Sequence, residues 1–355
     1  MNGSRKTGGA WQRNVLIVLC AILFLSLIAM IFVTAYVEAA LNRIHRPAPD
    51  NGTLSSSELE DIYKPQDTIS PDFSGPTYNA TDVVLPTISP DDPIVGGKDV
   101  INIMLIGQDR REGESRQRSD SMILCTFNLK KGTITMTSFL RDLYVVIPGY
   151  KPTRMNAAYQ IGGMRTLDET LAVNFGVHVD ANVEVDFFGF MKIIDLLGGV
   201  EINLTKAEAN YLNTNGNWGV NEYNGEWNLV EGVNRLNSQQ ALAYSRIRYL
   251  DSDFQRTGRQ RNVITAILKE YKNQSWTKME SMLWEILPLI TTDMTNAEII
   301  SYAGQIFPML ANANIVTQRI PASGTYENAV INGDEVLVPD LIANRNLLLQ
   351  TIMAD

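Results

Sequence analysis

The chain of 355 residues is short of cysteine, with two, and charged residues are only 19% of it, against 45% hydrophobic. Cys20 falls in an apolar run and Cys125 in a strand-like one, so no disulfide within a folded domain is available and cysteine says nothing of the compartment. Positive charge is scarce too: 30 Lys and Arg face 39 Asp and Glu, for a formal charge of −9. A nucleic-acid binder normally presents a net basic face, so that class is set aside. No repeat recurs at a solenoid period. The hydrophobic content excludes wholesale disorder and is enough for a sizeable core.

Long uncharged apolar runs are also absent, with one exception. Val15 to Val37 reads VLIVLCAILFLSLIAMIFVTAYV. At 1.5 Å per residue this stretch crosses a bilayer once, and it is too long for the apolar part of a cleaved signal peptide. Arg5, Lys6 and Arg13 precede it and favour a cytoplasmic N-terminus, although Arg43 and Arg46 follow. The expected organisation is a cytoplasmic tail at 1–14, a membrane helix at 15–37, a spacer at 38–97 and a folded domain at 98–355 outside the cytoplasm.

Charge is distributed unevenly along this plan. Residues 1–46 carry +4, residues 47–97 carry −8, and the remainder carries −5. The 47–97 stretch holds eight of the 14 prolines and little periodic apolar pattern, so it reads as an extended spacer in which Ser56 to Tyr63 is a short strand or helix.

Beyond it, Val100–Ile106, Ser121–Leu129 and Thr133–Phe139 read as strands of one sheet. Helical spacing follows at Met164–Phe175, Phe187–Leu197, Ser238–Tyr249, Gln255–Tyr271, Trp276–Leu289 and Asn296–Leu310. Strands are expected at Val183–Asp186, Val200–Leu204 and Ile315–Ile320, and a closing helix between Pro339 and Met353. The fold class is α/β, a three-layer arrangement with a central mixed sheet flanked by helices.

Three segments concentrate arginine and aspartate near strand ends or turns, where sheet proteins expose functional groups. In the first, Asp109 ends one strand and Asp120 begins the next, after Arg118 and Ser119. Pairing of those strands brings the carboxylates together, which suits a hard cation such as Mg²⁺ (or Mn²⁺). A solvated hairpin loop fits this segment equally. The second is Arg141-Asp142 after a buried-looking strand, which alone also fits a structural ion pair.

The third packs five arginines into sixteen residues: Arg246, Arg248, Arg256, Arg259 and Arg261. Arg246 and Arg248 alternate about Ile247, and Arg256 and Gln260 share a helix face four residues apart. Guanidinium forks bind phosphate oxygens in bidentate fashion, and a solvated helix face rarely favours Arg so strongly over Lys.

Taken together, these residues resemble the LytR-CpsA-Psr family of bacterial cell-envelope proteins. The match runs from about Val100 to Ala266 and includes Gly107, Asp109 and Arg111; Arg118-Ser119-Asp120; Arg141-Asp142; Asn156-Ala157-Ala158-Tyr159 with Gly162-Gly163; Asp195 to Val200; and the arginine run at 246–261. The resemblance implies a membrane-anchored phosphotransferase facing the cell wall. Its activity is transfer of a glycopolymer (teichoic acid, capsule or other wall polysaccharide) from a polyprenyl pyrophosphate carrier to peptidoglycan. It also implies that Asp109 and Asp120 hold Mg²⁺ and that Arg118, Arg141, Arg246, Arg248, Arg256 and Gln260 hold the pyrophosphate; one carboxylate, with Asp120 a candidate, can accept the attacking hydroxyl's proton.

Two positions depart from the family pattern, Leu140 for proline and Arg154 for lysine. Arg154 keeps the charge and is counted with the pyrophosphate ligands. An apolar cavity for the lipid tail is implied, while Phe187, Phe188, Phe190, Met191 and Ile194 read as ordinary core. A pyrophosphate hydrolase on the same lipid-linked substrate, or a non-catalytic envelope receptor or regulator, uses the same arginines.

Overall fold

The computed structural model describes residues 33–47, 54–65, 69, 73–89, 91–108, 116–214, 227–248, 250–310 and 312–354. Most of the expected membrane helix, the tail at 1–14 and Asp109 lie outside the described residues. Among the described residues no helix is long and apolar enough to cross a membrane. The chain divides into two units, residues 1–44 and 45–355. In the first, residues 33–41 are helical.

The second unit opens with helix α1 (Ser56–Tyr63), closed by a capping box in which Ser55 and Glu58 satisfy each other's backbone N–H groups. Strand β1 (Thr77–Tyr78) follows, then the meander β2 (Val100–Gln108), β3 (Ser119–Asn128) and β4 (Thr133–Phe139), and the short pair β5 (Tyr144–Val145) and β6 (Thr153–Arg154). Helix α2 (Met155–Phe175) leads to β7 (Ala181–Asp186) and α3 (Phe187–Leu197). The hairpin β8 (Val200–Leu204) and β9 (Gly232–Leu236) brackets α4 (Lys206–Thr214). Then come α5 (Ser238–Arg246), α6 (Asp253–Lys272), α7 (Trp276–Ile286), β10 (Thr291–Thr292), α8 (Asn296–Leu310), β11 (Asn314–Ile320), β12 (Tyr326–Ile331), β13 (Asp334–Pro339) and α9 (Leu341–Ile352).

The six-stranded central sheet has the order β10-β7-β2-β3-β4-β11. Strand β2 pairs antiparallel with β3 and parallel with β7, and β4 pairs parallel with β11, so the sheet is mixed. Alternation along each strand divides the side chains between two layers. Met104, Ile106, Met122, Leu124 and Phe139 are buried in one core with Leu167 and Leu171 of α2 and Leu348 of α9. Ile123, Cys125 and Met136 point to the other face, against Ile264 of α6. A separate core under the β8–β9 hairpin joins Leu197, Leu236, Tyr244, Val263 and Met282.

Two features differ from the sequence expectation. The helix expected from Met164 begins nine residues earlier, because Gly162 and Gly163 take non-helical angles and join two helical pieces at a kink. Gly163 sits at φ +66° and ψ −153°, a region open essentially to glycine alone.

The stretch expected to be an extended spacer is also partly folded onto the domain. Ile62 is buried in the main core, β1 adds parallel to β12, and Val95 bridges Val177. Isolated apolar residues such as Leu59, Ile62, Leu85 and Val95 anchor an otherwise proline-rich chain without leaving a periodic signature.

Candidate functional site

Asp120 enters at the start of β3, opposite a register irregularity at Gly107 and Gln108 that closes the β2–β3 pairing. Arg141 and Asp142 follow the end of β4, while α6 brings Asp253 in its first turn, then Arg256 and Gln260 one and two turns on. The start of β3, the end of β4 and the start of a helix thus converge.

Within this convergence the charges alternate. Arg141 Nη1 donates to Asp120 Oδ1 at 3.1 Å, its Nε lies 3.4 Å from Asp142 Oδ2, and Asp253 Oδ1 is 3.9 Å away. Arg256 Nη2 lies 2.9 Å from Asp253 Oδ1 and 3.4 Å from the Asp120 carbonyl oxygen, which it donates to. Burial works against the charge on Arg141, but Asp142, Asp253 and Asp120 outweigh it and hold the guanidinium above its ordinary pKa. Burial raises the pKa of Asp142, against the pull of Arg141.

The ring leaves polar atoms unsatisfied. Arg141 Nε, Arg256 Nε and Gln260 Oε1 are buried without a hydrogen-bond partner among the described residues. Orphaned polar atoms are rare in native interiors, and several at one mouth mark a place that a polar ligand completes.

Arg246 ends α5 with its guanidinium 4.8 Å over the Phe187 ring. The fully buried Ile247 turns the chain there, leaving Arg248 exposed on the next position. Arg259, expected with the run but given no role, is buried and donates to Glu208 at 2.7 Å, to the Ile247 carbonyl at 3.2 Å and to Asp251. It clamps the linker that carries Arg246 and Arg248.

Asp120, Arg246, Arg248, Arg256 and Gln260 line a polar mouth of about 90 Å³ together with Gly107, Ser121, Phe187 and Ser245. The last four and Gln260 also line a second cavity of about 220 Å³. Apart from Asp186 its remaining walls are apolar: Leu105, Ile123, Val183, Val185, Phe190, Ile193, Val263, Ile264 and Ile267 among them. Phe187 and Phe190, expected as core, are therefore cavity wall, Phe188 is 68% exposed, and Ile194 is core. The chain pattern cannot separate these, because an apolar cavity and a filled core demand the same side chains.

Three sequence-assigned arginines are absent from the lining of the mouth: Arg141, held among Asp120, Asp142 and Asp253, and Arg154 and Arg118. Arg154, 3% exposed, lies 3.5 Å from Asp142 and 3.4 Å from Asp334, so its fork is occupied by carboxylates. Arg118 donates to the Ile62 carbonyl at 2.7 Å, to Gln160 at 3.2 Å and to Asn156 at 3.5 Å. Both belong to the framework around the mouth rather than to its lining. Asp253, by contrast, was not singled out; its i,i+3 spacing to Arg256 at a helix start is the signal that finds it.

A further buried group fixes Gln108 at the end of β2 and ties it to Gln117 just ahead of β3. Gln108 and Tyr159 both donate to the Glu184 carboxylate, and Gln108 Oε1 accepts from the Gln117 N–H at 3.1 Å.

Comparison with known proteins places this arrangement. The model of the LytR_cpsA_psr family matches residues 77–344. Regulatory protein MsrR of Staphylococcus aureus (strain Mu50) is 30% identical over 238 residues, 66% of this chain and 68% of that protein. The polyisoprenyl-teichoic acid–peptidoglycan teichoic acid transferase TagU of Oceanobacillus iheyensis is 32% identical over 246 residues, 66% of this chain and 70% of its own. Among solved structures, TagT bound to LIIa-WTA aligns with a TM-score of 0.57 at 25% identity, covering 76% of this chain and 99% of that one.

Proposed function

The chain belongs to the LytR_cpsA_psr family, and from that premise we propose that it is a glycopolymer transferase working on a polyprenyl pyrophosphate donor and a peptidoglycan acceptor. One observation carries the reading: an arginine-lined polar mouth opens directly into an apolar cavity, sharing five wall residues with it. That shape fits an amphiphile with an anionic head and a hydrocarbon tail. The activity named for the TagU relative, at 32% identity, supports the same substrate class.

In the proposed reaction an acceptor hydroxyl oxygen attacks the phosphorus attached to the glycopolymer's first sugar. A new P–O bond forms as the bond from that phosphorus to the bridging pyrophosphate oxygen breaks, and the electron pair leaves with polyprenyl phosphate. The hydroxyl proton passes to a carboxylate at the mouth, for which Asp120 is our candidate. Phosphoryl transfer asks a protein mainly for positioning and charge neutralisation. Arg246, Arg248 and Arg256 supply positive charge at the mouth, and Gln260 offers its unsatisfied amide oxygen to a polar ligand group. Arg141 acts as a positioning residue by holding the Asp120 side chain.

A divalent cation at Asp120 is part of the proposal. Asp120 is about one-third exposed at the mouth, and its Oδ1 alone is engaged by Arg141. Mg²⁺ commonly takes one or two carboxylates together with substrate phosphate oxygens. Asp120 and Asp109 would hold it, and when bound it would neutralise phosphate charge. The apolar run at 15–37 would tether the domain outside the cytoplasm, in the leaflet that holds the lipid donor, and so raise its effective concentration.

Site variants test the reading. Arg248→Ala and Arg256→Ala should each lower kcat/KM for transfer by about 10–100-fold, the loss of a charge-assisted contact to phosphate. Ile264→Trp, which fills the cavity, should raise KM for long-tailed donors. Full activity in all three would remove the site from the account.

A further inference from the structure

A second group of arginines lies beyond the mouth. Arg261 follows Gln260 on α6, and its Nη1 donates to Ser138 Oγ of β4 at 2.6 Å. Arg319 of β11 pairs in register with Ser138, so it projects from the same face of the sheet. Its guanidinium stacks 4.3 Å from the Phe254 ring and donates to Ser323 Oγ at 2.8 Å. Phe254 in turn stands 5.1 Å from the Tyr326 ring.

What sets this pair apart is its missing counter-charge. Arg118, Arg141, Arg154, Arg256 and Arg259 all engage carboxylate, amide or carbonyl oxygens. Arg261 and Arg319 have hydroxyl partners only, and no described carboxylate pairs with either. Burial, helped by the charge of Arg319, pushes the pKa of Arg261 down to about 10. Two half-buried cations side by side repel, and natural structures pair such charges unless something else supplies the anion.

Position decides which anion. In the strand order, the cavity and the mouth share β2 and β3, while Arg261, Ser138 and Arg319 lie on the same face of the sheet over the neighbouring β4 and β11, with Ser138 in register with Ile123 of the cavity wall. On α6, Val263, Ile264 and Ile267 face the cavity, Arg256 and Gln260 the mouth, and Phe254 and Arg261 the opposite side. A donor with its tail in the cavity and its pyrophosphate at the mouth would have this pair beside its head group, since Arg261 follows Gln260 and β4 neighbours β3, within reach of its first sugars.

We propose that Arg261 and Arg319 form a subsite for an anionic group carried by the glycopolymer a short way beyond the pyrophosphate, with the Phe254 and Tyr326 rings flanking it. This rests on the transferase reading and adds to it a preference for polymers bearing phosphate or carboxylate close to the lipid-linked end. The paired guanidinium forks supply bidentate contacts, and the aromatic faces suit the adjoining sugar.

Equilibrium binding tests it independently of turnover. The full chain is titrated with two donors that share a polyprenyl pyrophosphate and one disaccharide, the second carrying an added glycerol phosphate. Wild type should bind the phosphate-bearing donor about tenfold more tightly, the scale of one charge-assisted contact. In Arg261→Gln and in Arg319→Gln that ratio should collapse toward one. Because each change removes an unpaired charge, the melting temperature should hold or rise.

A ratio near one in wild type, a ratio retained in both variants, or a marked loss of melting temperature would each overturn the subsite. So would a variant effect on transfer that follows the free carboxylates of the acceptor's peptide stems rather than the donor's charge. A donor preference that vanishes in the variants while no transfer occurs would uphold the subsite and count against the transferase reading alone.

Discussion

Arg154 and Arg248 carry the same charge and do opposite work. Arg154 is buried between Asp142 and Asp334, whereas Arg248 is exposed at the mouth. Arg154→Ala removes a buried guanidinium from between Asp334 and Asp142, leaving Asp142 to Arg141, and should lower stability by about 3 kcal/mol in urea unfolding. Arg248→Ala should change it by less than about 0.5 kcal/mol while impairing transfer.

The dense arginine run was legible because its residue type and spacing are local. The partners of Arg118 and Arg154 were not, because Ile62 and Asp334 reach them from elements far along the chain. Asp168 offers a test away from the site. Burial raises its carboxyl pKa to about 8, against the Asn182 hydrogen bond. Such a group binds its proton more tightly folded than unfolded, so its stabilisation is complete below about pH 4 and lost as pH rises through about 8. The urea midpoint of wild type should therefore fall between pH 5 and pH 8.5. Asp168→Asn, which still accepts from Asn182, should flatten that fall; equal pH slopes would contradict it.

Among the elements, strong periodic ones were readable to within a few residues. Helix α3, helix α8 and strands β4 and β8 fall at the expected boundaries. The β12–β13 hairpin was missed, although Asn332-Gly333 between strand-like runs is a strong two-residue turn signal. Both residues take positive φ, 55° and 85°, as a type I′ turn requires.

The kink in α2 was missed for a different reason: adjacent glycines weaken a helix but do not say which way the chain leaves it. At Gly162 an added Cβ would collide with Thr166, and Gly163 needs its positive φ. Gly163→Ala should cost about 1–3 kcal/mol and, by swinging Asn156 and Gln160 off Arg118, weaken donor binding as well. Unchanged unfolding would mean the kink is not strained in this way.

At the scale of the whole molecule, a mixed sheet between two helical layers follows from the order of elements, whereas the cavity is implied by the family resemblance alone and its lining is not readable from the chain. Leu105, Ile123, Val183 and Ile264 look like core in any one-dimensional reading, and only the packing of α3, α5 and α6 over β7, β2 and β3 leaves space between them. That space gives the arginines a context, joining a site for phosphate to a site for hydrocarbon.

Product analysis reaches the central claim most directly. Purified full chain is supplied with a phosphorus-labelled polyprenyl pyrophosphate glycan, peptidoglycan and Mg²⁺, and the fate of each phosphorus is followed by ³¹P spectroscopy. The account predicts a phosphodiester on peptidoglycan with one polyprenyl phosphate released per transfer. Free sugar phosphate as the sole product with acceptor present, or tight binding of the donor without turnover, would contradict it.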